Sequence, residues 1–419
     1  MGRAQGPAPL LFGRPVGPPA PRGRGVAGED GLLVGKQVMW GRMGRDPAIT
    51  VATQFVTAVS WSYVYVFIPF YVQAVSPHHR ETTLVWIGLI VGISGATSAV
   101  TAPLVGAMAG RWRPKGLLLL GILFQGLLIA GLAATDNLPA LFVLRFLIGT
   151  IGGLSTIGMV VVSATSPPER LAETMGAFQA GITLGHIAGP LLGAVTADLL
   201  GFQGAFLLGG GIMGVAYALC RWGMTDIPAF SPPAGGARVR GRHLVGAWLL
   251  CFAASVQIAF LPGVLPEVLA MLGVPPGRAL RLGSLIVFSY GVASILGSYG
   301  MARAAARWGE RRALAAAAVG GSALLPLLAC AGSPAAFAAV RFAQAGLIAG
   351  AIPIVFAEVA AASTGRTIGL INTSRFAAFA AGPVLGTWFF AHASPLGLYL
   401  ALSLGTLAVL PLLHRSSRP

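Results

Sequence analysis

Twelve apolar runs, each long enough to cross about 30 Å of hydrocarbon as a helix, follow one another from Ala48 onward. They cover residues 48–73, 84–109, 115–134, 138–163, 173–199, 202–222, 243–271, 282–303, 312–331, 335–361, 367–391 and 395–413. Segments that are apolar on all sides have no soluble surface to offer. Charged residues make up 10% of the chain and apolar ones 55%. A soluble protein of 419 residues needs far more charge on its surface. A cytosolic enzyme is thereby excluded. The net charge of +16 suggests nucleic acid only until the charges are located. They sit in short loops between the apolar runs, which is a membrane-topology pattern. The expected fold is all-α, spanning the lipid bilayer, with no nucleic-acid partner.

The loop charges set an orientation. With the N-terminus in the cytoplasm, 22 of the 28 Lys and Arg residues fall on the cytoplasmic side. Arg80, Arg278 and Arg281 fall on the other side, and Arg145, Arg341 and Arg375 lie inside spans. The positive-inside rule then puts both termini in the cytoplasm of a cell (inner or plasma) membrane protein. Residues 1–46 are rich in Gly, Pro and Arg without apolar period, and are expected to form a disordered cytoplasmic tail. Met39 or Met43 could serve as the start, because the organised chain begins just after them. The longest internal loop, about 222–243, separates six spans from six. The expected domains are residues 47–222, a cytoplasmic linker at 223–242, residues 243–414, and a short tail at 415–419.

The two sets of six repeat each other. Ala109-Gly110-Arg111-Trp112 is followed 196 residues later by Ala305-Ala306-Arg307-Trp308. Arg145-Phe146 returns as Arg341-Phe342 with the same shift, and Ala188-Gly189-Pro190 returns as Ala381-Gly382-Pro383 with a shift of 193. Six spans return the chain to its starting side, so the repeat is parallel. The expected architecture is two six-helix bundles related by a pseudo-two-fold axis along the membrane normal, an arrangement suited to alternating access.

These motifs resemble those of the major facilitator superfamily, and within it the twelve-helix drug:proton antiporters. The resemblance covers about residues 46–415. The loop motif between spans 2 and 3 begins at Gly106 and includes Arg111 and Lys115, with Arg307 and Arg311 in the second copy. The family's loop Asp is absent from both copies, where Gly110 and Ala306 stand. The span 4 motif is Arg145 and Gly149. The span 5 antiporter motif contains Gly185, Gly189, Pro190 and Gly193. The resemblance implies that this segment packs tightly against the opposite bundle. It also links Arg145 to proton transfer, though a structural role is equally open.

The residues themselves suggest candidate sites. Gly181, Gly185, Gly189 and Gly193 are four apart and form one side-chain-free stripe, repeated in part by Gly382, Pro383 and Gly386. Such a stripe serves a gate or plain helix packing. Acids inside spans are few: Glu267 in span 7 is the first choice for a proton site, with His186 beside the glycine stripe as another titratable group. Gln54, Thr57, Trp61 and Tyr65 share one face of span 1 and are candidate substrate contacts. Gln257, Tyr290, Asn372 and Arg375 add polar groups from other spans. An apolar cavity with aromatics and few polar anchors suits hydrophobic, varied ligands.

Cys220, Cys251 and Cys330 lie in apolar runs without ligand spacing, so neither a metal nor a disulfide is indicated, and no cofactor motif is present. The expected function is that of a monomeric secondary active transporter, exporting hydrophobic or amphipathic small molecules in exchange for protons. A facilitator or importer of a small metabolite is the alternative. A membrane enzyme or non-transporting scaffold is disfavoured: no His-Glu-x-x-His, nucleophile elbow or phosphate loop occurs.

Overall fold

Lipid cannot hydrogen-bond a backbone, so an apolar chain of this kind must satisfy its N–H and C=O groups within each segment. The computed structural model describes residues 44–109, 111–229, 241–362 and 365–414, and every regular element among them is helical. The expected N-terminal tail with Met39 and Met43, most of the linker, Gly110 and the last five residues lie outside the described residues. The helices are α1 Arg45–Val75, α2 Arg80–Ala109, α3 Pro114–Gly131, α4 Leu138–Thr150, α5 Leu154–Thr165, α6 Leu171–Ala218, α7 Gly241–Met271, α8 Pro276–Trp308, α9 Glu310–Leu324, α10 Pro334–Ala349, α11 Ala351–Ala362, α12 Gly365–His392 and α13 Pro395–His414.

Two expected spans are broken in the middle. Span 4 is split into α4 and α5 around Ile151–Gly153, and span 10 into α10 and α11 at Gly350. Conversely, spans 5 and 6 run together as the 48 residues of α6. At 1.5 Å per residue that is roughly 70 Å, more than twice a bilayer core. The chain turns within it at Gly201, where φ is 69° and ψ 172°, a conformation that a Cβ would penalise. Ten segments among the described residues are long and apolar enough to cross a membrane, α6 counting once. α12, with Asn372 and Arg375 in its length, is not among the ten.

The repeat extends to helix ends. Asn137 Oδ1 caps α4 by accepting from the Ala140 N–H at 3.1 Å, and Ser333 Oγ caps α10 by accepting from Ala336 N–H at 3.2 Å. Pro114 opens α3 at its first turn, where a missing N–H costs nothing. Trp112, Trp222 and Trp308 are exposed at helix ends beside the basic loops, as interfacial tryptophans are.

Packing pairs recur with the same shift. α1 lies against α6 and α7 against α12, while α2 packs on α4 and α8 on α10. Between the two sequence halves, α2 meets α12 and α6 meets α8. Many large apolar side chains remain outside, among them Leu199, Val100, Leu104 and Leu404. In water such a surface would be unstable; in lipid it is the solvent-facing side.

Candidate functional site

The glycine stripe of α6 faces α1. A Cβ on Gly185 would come 2.6 Å from the Phe55 carbonyl oxygen, and one on Gly189 would come 2.6 Å from that of Val59. Gly181 and Gly193 abut Val51 and Tyr63. Ser62 Oγ crosses the contact to donate to the Gly185 carbonyl at 3.1 Å. The glycine face thus joins two helices of the same half, while another face of the segment meets the opposite half, where a Cβ on Gly291 of α8 would come 3.0 Å from Ile187. Its copy behaves alike, with Gly382 against Ala259 and Phe260, and Gly386 against Phe260 and Val264, all on α7. Pro190 and Pro383 are buried within α6 and α12. A second close approach between the halves is made by Gly88, Gly92 and Gly95 of α2 against Pro383, Ala380, Phe379 and their neighbours on α12.

Two of the three inner arginines are fully enclosed and bound by neutral partners, with the Nε of Arg341 left unpaired. Arg145 donates from Nε to the Ile90 carbonyl at 3.2 Å, and from Nη2 to the Val91 carbonyl and, at 2.7 Å, to Ser94 Oγ. Arg341 donates to the carbonyls of Gln257 (2.8 Å) and Ile258 (3.0 Å) and to Gln344 Oε1 (2.5 Å). Its guanidinium also lies over the rings of Tyr290 and Phe260, at 4.7 and 5.1 Å. The pair illustrates how a repeat diverges: Arg145 grips α2, whereas Arg341 grips α7.

Gln257 is not in a cavity, which corrects the expectation from its position. It is fully buried, donating to Ser322 Oγ and Thr406 Oγ1 (3.1 and 2.6 Å) and accepting from Gln344 Nε2 at 2.8 Å. This network ties α7, α9, α10 and α13 together. Gln54 is buried too, at the contact with Gly158 of α5, away from the aromatic group described next.

Trp61 and Tyr65 come together as expected. Their rings stack at 5.6 Å, and Phe379 of α12 meets both edge-on at 5.3 and 5.7 Å. His186 of α6 completes the group, 5.6 Å from Trp61. The Tyr65 hydroxyl donates to the Ala259 carbonyl on α7 at 3.2 Å. Asn372 and Arg375 share a face of α12 with Phe379, at spacings of three and four. Both are half-buried. Sequence reasoning missed Phe379; its place four residues after Arg375 was the available signal.

The end of the molecule carrying the α1–α2 turn is closed by charge. Arg80 Nε donates to Glu267 Oε2 at 2.8 Å, and Gln73 Nε2 donates to Glu267 Oε1 at 3.2 Å. A second pair joins Arg281 of α8 to Asp198 of α6, with Nε 2.9 Å from Oδ2. Each pair links the first half of the sequence to the second. A hollow of about 270 Å³ lies at the first, lined by Gln73, Ser76, His78, Arg80, Thr83, Leu84, Ile87 and Glu267. Beyond their place in the loop topology, Arg80 and Arg281 thus each hold an acid of the other half.

At the opposite end the basic loop finds an acid after all. Asp226 accepts from Arg113, while Lys115 Nζ donates to the Met224 carbonyl at 2.5 Å. Thr225 in turn bonds Asp46 at the start of α1. Gly106 lies in the last turn of α2, and Arg111, Arg307 and Arg311 are exposed.

Residues 50–276 match the family model of the Major Facilitator Superfamily. The multidrug resistance protein MdtG of Proteus mirabilis (strain HI4320) is 26% identical over 163 residues, covering 39% of this chain and 40% of that protein. The multi-drug resistance efflux pump PmrA of Streptococcus pneumoniae is 26% identical over 297 residues, 69% of this chain and 74% of the pump. The chain thus spans less than half of MdtG and about three quarters of PmrA in these matches. The human organic anion transporter MFSD10 (TETRAN) superposes with a TM-score of 0.68 at 16% identity, over 88% of this chain and 99% of that one. A bacterial homolog of the human lysosomal transporter Spinster, inward-facing and occupied, gives 0.67 at 12% identity, over 88% and 94%. At these identities the two structures establish likeness of fold.

Proposed function

The chain belongs to the Major Facilitator Superfamily, and on that premise we propose that it is a proton-coupled exporter of hydrophobic or amphipathic small molecules. Twelve spans form two six-helix bundles, residues 47–222 and 243–414, which rock about a central site. Both the repeated packing pairs and the turn at Gly201 support that count. Both termini face the cytoplasm of the plasma membrane, as the distribution of Lys and Arg favours, and the duplicated bundle works as a monomer.

The observation that carries this reading is the aromatic group of Trp61, Tyr65, His186 and Phe379, contributed by both halves of the chain. It lies near the middle of α1 and α12 and in the arm of α6 before Gly201, between the two bundles. The ion pairs Arg80–Glu267 and Arg281–Asp198 join the bundles on the outer side. The state described is then closed to the outside, and opening it requires both pairs to part. Glu267 is the acid best situated to receive a proton from outside. Neutralising it removes the charge that holds Arg80, and weakens that closure. Arg145 and His186 are the inner candidates for coupling. The multidrug names of the sequence relatives agree with export of varied compounds.

The test is efflux of fluorescent dyes of either charge from cells lacking their own pumps, with and without a protonophore. Protonophore-sensitive efflux that loses its dependence on the pH gradient in Glu267→Gln is the expected result. Efflux indifferent to the protonophore, or a Glu267→Gln variant coupled as before, would refute proton coupling through this residue. Uptake in place of efflux would favour the importer reading.

A further inference from the structure

Three arginines lie inside the membrane-spanning helices, and two of them hydrogen-bond to described neighbours, Arg341 leaving only Nε unpaired. Arg145 and Arg341 are enclosed and bound to carbonyls and amide oxygens. Arg375 makes no hydrogen bond or ion pair among the described residues, and it is half-buried where the other two are sealed. A guanidinium in a span is retained at a cost unless it meets a partner. This one has five unspent N–H donors in a planar fork.

Its surroundings are equally unspent. Arg375 stands one turn from Phe379, whose ring meets Trp61 at 5.3 Å, and Trp61 in turn lies 5.6 Å from the His186 ring. Neither the His186 ring nor the Trp61 indole N–H has a hydrogen-bond partner among the described residues, and Asn372, one turn from Arg375, has none either. Phe379, one turn to the other side, forms an aromatic floor with Trp61 and Tyr65. The one acid buried among the described residues is Glu267, already held by Arg80 and Gln73. No described acid meets Arg375.

We propose that this place binds an amphipathic organic anion. The aromatic or apolar body rests against Trp61, Tyr65 and Phe379, and a carboxylate or sulfonate takes the fork of Arg375, with His186 and Asn372 as further donors. Planar carboxylate against planar guanidinium is the pairing this fork favours. Among the described side chains a lipophilic cation meets a positive charge there and no acid, so the site selects against it. The inference rests on the transport reading above and narrows its substrate class.

The test uses the full chain in phosphatidylcholine nanodiscs and two dyes that share the xanthene ring system, anionic fluorescein and cationic rhodamine 123. Binding is read by fluorescence anisotropy. Fluorescein is expected to bind at least about tenfold more tightly than rhodamine 123, with Arg375→Gln abolishing that preference and Arg375→Lys keeping part of it. Since Arg375 bonds no described residue, Arg375→Gln should melt no lower than the parent, which separates loss of a ligand site from loss of the fold. Equal or tighter binding of rhodamine 123, unchanged fluorescein affinity in Arg375→Gln, or binding of neither dye would overturn the proposal. Displacement of fluorescein by phosphatidylglycerol would support the anion site and identify a lipid as its occupant. Flux in proteoliposomes then separates the two readings. Fluorescein bound through Arg375 but not moved would sink transport and keep the site; rhodamine 123 moved and fluorescein not would do the reverse.

Discussion

Replacing Gly189 by alanine probes how closely α6 must lie on α1. The new Cβ would stand 2.1 Å from Ser62 Oγ, 2.6 Å from the Val59 carbonyl oxygen and 2.9 Å from the Tyr63 nitrogen. The Ser62 hydroxyl can rotate away, but the two backbone atoms cannot. To restore a contact of ordinary length, the helices must part by roughly 0.8 Å. That stretches the bond from Ser62 Oγ to the Gly185 carbonyl, now 3.1 Å, past useful length. Overpacking of this kind costs about 1–3 kcal/mol and the lost bond about 1 kcal/mol. The better helix propensity of alanine returns about 1 kcal/mol. The net expectation is a destabilisation of about 1–3 kcal/mol. Gly211, on the same helix with nothing within 4 Å of its Cβ position, is the control, and Gly211→Ala should be neutral or stabilising. Thermal unfolding can be followed with a thiol-reactive dye, because Cys220 and Cys251 are buried and Cys330, which is exposed, can be replaced by serine. If Gly189→Ala melts with Gly211→Ala, the close backbone approach has been misjudged. Adding Ser62→Ala should rescue only in part, since the Val59 carbonyl still stands in the way.

Gln257→Leu should lower stability by about 2–3 kcal/mol, because Gln344, Ser322 and Thr406 lose a partner in a dry interior. Dye binding should be unaffected, since this network lies apart from the aromatic group, and a loss of binding without loss of stability would contradict its structural role. Glu267→Ala frees both Arg80 and Gln73. A cysteine placed at Thr83, buried beside that pair, should then react faster with a soluble maleimide, and an unchanged rate would argue against a charge-held closure. Asp226→Ala breaks an ion pair whose side chains are 74% and 52% exposed, so stability should move by no more than about 0.5 kcal/mol. A large drop in its melting temperature would give that loop a role that its exposure does not suggest.

The helix bounds were largely legible along the chain. Span 1, expected at 48–73, is α1 at Arg45–Val75, and span 12, expected at 395–413, is α13 at Pro395–His414. An apolar run in lipid has one way to satisfy its backbone, so hydropathy alone locates it. Trp61 with Tyr65 was legible as well, because helical spacing puts them on one face. The breaks at Ile151–Gly153 and Gly350 were not, since a helix interrupted among neighbours stays as apolar as an intact one.

What the linear chain determined by itself was therefore local: which segments are helical, where they stop, which residues share a face, and that the two halves repeat. Which face meets which neighbour was decided by the tertiary structure. The glycine stripe could serve any close partner, and α1 was the partner chosen. Gln257 could have faced a cavity, and Ser322, Thr406 and Gln344 enclosed it instead. Asp226 met Arg113 across a separation of 113 residues, and Glu267 met Arg80 across 187. The physical reason is that lipid is as apolar as a helix interface, so hydropathy does not distinguish the two. Partners are selected there by shape and by the pairing of scarce polar groups, and both exist only once the helices lie side by side.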